Sequence, residues 1–133
     1  MTAPVGFLLD TSAVIAPGRV TREGLADHVP SVSAVTIAEL SVGLDVDDPV
    51  ERRARSDRFY ALIEEVEVLG FGLGPARVYG TLAALVRRAG RNPGPRRLDL
   101  MIAATAAHHG IPLVTLNPDD FHGLDPVLTV LAG

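Results

Sequence analysis

The 133-residue sequence contains no cysteine. That absence excludes a disulfide framework, a thiol nucleophile and a zinc site built on thiolates, and it suits a reducing cytoplasm. Lysine is absent as well, so all twelve basic residues are Arg. Aromatic side chains are few, four Phe and two Tyr, which limits base stacking as a recognition device. No apolar stretch approaches the length of about 20 residues that a spanning helix requires. Asp10 interrupts the only early apolar run, Val5 to Leu9, so no secretory leader is expected. The expectation is a soluble, cytoplasmic protein with no membrane partner.

What is present favours a folded enzyme-sized unit. The chain is 47% hydrophobic and 21% charged, which is not a disordered composition. Its length fits one compact domain over residues 1–133. The formal net charge of −4 would ordinarily argue against a nucleic-acid partner. The basic residues are clustered, however. Arg87, Arg88, Arg91, Arg96 and Arg97 fall in one stretch that leads into Asp99, and Arg52, Arg53, Arg55 and Arg58 fall in another. Guanidinium groups suit bidentate phosphate recognition. GC-rich coding also enriches Arg, and a charge run is usually a solvated face.

The pattern of apolar runs and breakers predicts alternating strands and helices. Val5–Leu9 reads as a buried strand that ends in a turn or helix cap at Asp10-Thr11-Ser12. Val29–Ser33 is a second strand, and Ser33 caps a helix over Ala34–Leu44 with Val35, Ala38 and Val42 at helical spacing. Pro49 opens a helix to about Glu65, with Phe59, Leu62 and Ile63 on one face. Val66–Phe71 alternates as an edge strand would, and Gly74-Pro75 opens a helix to about Ala89. After a Gly90–Pro95 loop, Leu98–His108 is a strongly apolar helix closed by Gly110. Pro112–Leu116 and Val127–Leu131 complete the set. The fold class expected is α/β, with a mostly parallel central sheet flanked by helices. Functional groups in such sheets gather beyond the C-terminal ends of the strands.

Four acidic segments fall at such positions. Asp10 follows the first strand, where an N-cap or Asx turn is the plain reading. Glu39 sits within an apolar helix at the margin of its buried face, where an ionised carboxylate is unfavourable without a partner. Asp99 opens the apolar helix, an ordinary place for an acid near a helix N-terminus. Asn117-Pro118-Asp119-Asp120 follows the fourth strand and is good turn chemistry. Each has a bland explanation alone. Together they form a convergent set of oxygen donors from separate elements, which is what a hard divalent cation needs.

In this order the segments resemble the motifs of PIN-domain ribonucleases, in particular the VapC-type toxins of toxin–antitoxin pairs. Phe7-Leu8-Leu9-Asp10-Thr11-Ser12 is similar to the opening motif, and Thr36-Ile37-Ala38-Glu39-Leu40 to the second. Asp99 to Ala106 is similar to the third, and Thr115-Leu116-Asn117 through Asp120-Phe121 to the closing one. The resemblance spans nearly the whole chain. It implies a Rossmann-like PIN fold and an acidic pocket for Mg²⁺, with Mn²⁺ as substitute. It also implies endoribonuclease activity, a homodimer, and a cognate VapB-type antitoxin. By motif position Asp10 and Asp99 would be the chief metal ligands, and Glu39 would complete the acidic set directly or through a water. Thr11, Ser12 and Thr115 would orient ligands or water from behind. Many relatives carry a fourth acid where this chain has Asn117. Either the Asn117 carboxamide or Asp120 would fill that place, Asp120 otherwise capping the turn.

Hydrolysis of RNA would then use a metal-activated water, with Arg91, Arg96 and Arg97 holding phosphates beside the pocket. A PIN-like module that only binds a partner is the competing reading. Phosphotransfer through Asp10 is disfavoured, because Ser12 stands where one such class has a second acid. His108 and His109 read as helix C-terminal residues favourable to the dipole, and His28 and His122 as loop residues.

Overall fold

The computed structural model describes residues 6–20, 25 and 27–133. Val5, the first residue of the first predicted strand, lies outside them. Five strands form one sheet in which every neighbouring pair is parallel: β1 (Gly6–Leu9), β2 (Val29–Ser33), β3 (Glu67–Leu69), β4 (Leu113–Thr115) and β5 (Val130–Ala132). The order across the sheet is β3-β2-β1-β4-β5. Parallel neighbours need crossover connections. Helices supply them up to β4, namely α1 (Thr11–Ile15), α2 (Ala34–Val42), α3 (Pro49–Glu65), α4 (Leu73–Arg88) and α5 (Arg97–His109), and a short turn at Pro118–Phe121 lies in the last one. Among the described residues, no helix is long and apolar enough to cross a membrane.

The central strands are continuous apolar runs because both faces are covered, as parallel sheets require. Phe7, Leu8 and Leu9 of β1 and Leu113 and Val114 of β4 are all buried. One face packs Leu8 and Leu113 with Leu82 of α4 and Leu100, Ile102 and Ala103 of α5. The other packs Phe7, Leu9, Val32 and Val114 with Ala13 of α1. Burying one such Leu or Phe side chain stabilises the fold by roughly 1.5–3 kcal/mol. In α5 the fully buried Ala103, Ala104 and Ala106 let the helix lie close to its neighbours. Gly110 stops it in the left-handed conformation (φ 66°), which only glycine adopts cheaply. Gly74 has a different task. A Cβ there would run into the exposed His108 ring, which would have to turn aside for the start of α4 to abut the end of α5.

The structure departs from the sequence expectations in three places. In α2 the buried residues are Val35 and Thr36, whereas Ala38 and Val42 are exposed. The helix turns a hydroxyl-bearing face inward, because Thr36 hydrogen-bonds there with Thr11 (3.2 Å). The last strand begins at Val130 rather than Val127. Val127 and Leu128 both donate their N–H to Leu124 O in a turn that buries Leu128. In α3 no residue is fully buried, and Ile63 is exposed. The Arg run of α3 serves local structure. Arg52 Nε donates to Val46 O (2.8 Å) and Arg55 Nη1 to Gly43 O (2.7 Å), fastening the loop that precedes the helix. Arg53 pairs with Asp57 and Arg55 with Glu51 along the helix.

Candidate active site

Because β1 and β4 are parallel neighbours, the residues that end them emerge side by side. Asp10 follows β1, and Thr115 closes β4. Asp10 is both the N-cap that its sequence position suggests and a member of this cluster. Its Oδ1 accepts from Ala13 N (3.0 Å) and Ser12 Oγ (2.6 Å), and its Oδ2 accepts from Thr115 Oγ1 (2.5 Å). Asp10 is 5% exposed. Ser12 Oγ in turn accepts from Leu116 N (3.2 Å), and Thr115 Oγ1 from Asn117 N (3.0 Å). Two hydroxyls and a backbone amide thus fix one buried anion in orientation. Hydrogen bonds to the charged form offset its desolvation.

The adjacent strand β2 ends at Ser33, whose Oγ accepts from Val35 N and caps α2. One turn further, Thr11 Oγ1 donates to Glu39 Oε1 (2.8 Å) and also contacts Thr36 Oγ1 (3.2 Å). Thr36 is fully buried. The sequence reading did not single it out, and its signal is a polar residue three positions before the acid on the same helix face. Beneath it Ser33 Oγ and Thr105 Oγ1 lie 3.4 Å apart, which joins α2 to α5.

Asp99 lies in the first turn of α5, half-buried. Its carboxyl is pushed above the ordinary carboxylate value, first by burial and next by the charge of Asp120. Arg96 opposes this, while Glu39 and Asp10 add to it. The effect reports geometry: the negative charges of all four acids converge. Asp99, Glu39 and Arg97 line a cleft of about 500 Å³ together with Gly94, Pro95 and Leu98.

The closing segment departs from expectation. The Asn117 side chain is exposed, and the residue's backbone N–H, not its carboxamide, is what ties it to Thr115. The short turn Pro118–Phe121 has no side-chain cap, so Asp120 does not cap it. Asp120 instead accepts from Arg96 Nη1 at 2.6 Å, and the same nitrogen lies 3.8 Å from Asp99 Oδ2. Arg96 therefore has intramolecular partners where a free phosphate-binding group was expected. Arg91 is exposed in the preceding loop.

Among the described residues, no three carboxylates or imidazoles stand close enough to hold one ion as they are. Mg²⁺ does not need three. It usually keeps several waters and is bound through one or two carboxylates. An all-oxygen donor set, a buried oriented carboxylate and an Asp raised by burial and then by its acidic neighbours fit such a cation.

A second, larger groove of about 840 Å³ runs from this site between α1, α2 and α3. Its lining is apolar at Val14, Ile15, Leu40, Phe59 and Leu62, and Thr11 and Glu39 belong to it as well.

Comparison with known proteins agrees with this architecture. The PIN domain family model matches residues 7–125. The chain is 34% identical over 131 residues to ribonuclease VapC5 of Mycobacterium tuberculosis, covering 97% of this chain and 95% of that protein. It is 30% identical over 133 residues to ribonuclease VapC1 of Rickettsia felis, covering 95% and 97%. Among solved structures it is similar to VapBC-5, a member of the VapBC toxin–antitoxin family from M. tuberculosis. The TM-score is 0.80 at 31% identity, with 97% of this chain and 98% of that chain covered.

Proposed function

The chain belongs to the PIN domain family, and from that premise we propose that it is a Mg²⁺-dependent endoribonuclease, the toxin of a VapBC-type pair. The observation that carries the reading is the pair Glu39 and Asp99 lining one cleft, with the charges of Asp120 and Asp10 also felt at Asp99, within a chain similar from end to end to proteins named ribonucleases.

Asp10 and Asp99 would hold the cation, with Mn²⁺ as a substitute. Bound there, it stabilises charge on the phosphoryl oxygens and acidifies water. The remaining work falls to the protein's own groups. Ser12, Thr115 and the Ala13 amide hold Asp10 in one rotamer, so its oxygens need no reorganisation when the substrate arrives. Thr11 donates to Glu39 at the rim of the cleft, and in this reading the Glu39 carboxylate would complete the acidic set, directly or through a water. Arg97 lines the same cleft and, with Arg91, serves as a phosphate contact for single-stranded RNA.

Incubation of purified protein with RNA in Mg²⁺ is expected to give internal cuts that disappear with excess EDTA and return with Mn²⁺. Undiminished cleavage in EDTA would sink the metal mechanism. Absence of cleavage in Mg²⁺ would favour a partner-binding module. Arg97→Gln should weaken RNA binding and make its salt dependence shallower, by about 0.7 in log–log slope for one single-strand phosphate contact. An unchanged slope would return Arg97 to a merely solvated face.

The groove between α1, α2 and α3 supports the partner half of the proposal. An apolar helix of a VapB-type antitoxin fits such a groove, and an antitoxin Arg could reach Glu39 from it. The exposed Val42, Val50, Tyr60 and Leu73 are surfaces that this partner or a second copy in a homodimer would cover.

A further inference from the structure

The acidic site already contains a cation of its own. Arg96 Nη1 is 2.6 Å from Asp120 Oδ1 and 3.8 Å from Asp99 Oδ2. Among the described residues, Arg96 is the only base within ion-pair distance of either acid. The side chain leaves a short turn, Gly94–Arg96, at the end of an exposed loop and just before α5. It is 44% exposed, so it has room to turn. Its firmer contact is with Asp120. Its weaker one is with Asp99, which lines the cleft.

A divalent ion on Asp99 would place two further positive charges beside this guanidinium. One carboxylate cannot hold both closely, because like charges a few ångströms apart repel strongly. The contact with Asp120 can persist when the contact with Asp99 is lost. The geometry points to a tethered counter-ion: Arg96, anchored by Asp120, competes with the divalent cation for Asp99 and so sets how much free metal the site requires. The inference rests on the reading of Asp10 and Asp99 as the cation's ligands. It also gives Asp120 a role, as the holder of Arg96 and not a fourth ligand.

Calorimetric titration of the purified protein with Mn²⁺ tests this without any measurement of cleavage. Arg96→Gln is expected to bind Mn²⁺ roughly twofold to fivefold more tightly than the unsubstituted protein, the upper part of the range for loss of a partly exposed ion pair. Arg97→Gln removes the same charge from the next position in the chain, also close to Asp99, but breaks no ion pair, so it should change affinity clearly less. In EDTA, Arg96→Gln should melt at a lower temperature, because Asp99 and Asp120 then lose their shared counter-ion. Equal Mn²⁺ affinity with and without Arg96, or equal tightening in both variants, overturns the competition. An Arg96→Gln protein that melts no lower in EDTA does so too. If none of the three proteins binds Mn²⁺, the metal reading itself fails and this inference falls with it.

Discussion

Asp10→Asn will lower RNA turnover by more than about a hundredfold while leaving the protein folded. Loss of a group that merely supports a metal ligand costs 10–100-fold in related chemistry, and Asp10 is the most deeply buried of the four acids, at 5% exposure. Asparagine has nearly the same shape. Its carbonyl can keep the bonds from Ser12 Oγ and Ala13 N, and its amide would meet Thr115 Oγ1 as a donor. Thr115 then loses the acceptor for its own proton, a cost of about 1 kcal/mol, partly offset by relief of repulsion among carboxylates. Turnover and melting temperature measured on the same sample separate the two effects. Near-wild-type turnover would mean that Asp10 is only a helix cap.

The second large effect is expected at Asp99, where activity and stability should move in opposite directions. Asp99→Asn should abolish cleavage as Asp10→Asn does, and should raise the melting temperature at neutral pH in the presence of chelator. The sign follows from linkage. The Asp99 carboxyl is raised in the folded protein, chiefly by burial and then by Asp120. Between its unfolded and folded midpoints the native state therefore binds more protons, and stability falls as pH rises through that window. Above the window the full cost of ionising Asp99 remains. Asparagine carries no such cost. The two proteins should differ in stability at neutral pH and converge in acid, where Asp99 is protonated. Identical melting curves across the pH range would show that Asp99 is not held among like charges.

The features legible in the sequence were those written locally. A strand that ends in an acid, an apolar helix opened by an acid, and Gly after a helix each occupy a few adjacent residues. They gave the α/β class, the parallel sheet and the positions of Asp10, Glu39 and Asp99 beside the strand ends. What escaped depends on groups far apart in the chain. Arg96 and Asp120 each look like solvated charges until the fold sets them 2.6 Å apart. The inward face of α2 was misread because apolar spacing was the guide, whereas Thr36 is buried through its bond to Thr11. Asn117 stands where a motif comparison would put a ligand. Only the backbone path after β4 shows that its amide nitrogen faces Thr115 while its side chain is exposed.

The parallel pairing of β1 with β4 has a consequence for the life of the chain before it is complete. Asp10 and Thr115 are 105 positions apart, yet one hydroxyl joins them. During synthesis, at roughly 5–20 residues per second, the first strand emerges long before the neighbour that orients its acid. Pairing across so long an intervening segment is also slow to form, because chain closure must precede any reward from contact. Until β4 has been made and has inserted beside β1, the carboxylate of Asp10 has no fixed direction and no companion from α5. If the proposed activity holds, the oriented acid it needs arrives only with the last third of the chain, once β4 lies beside β1.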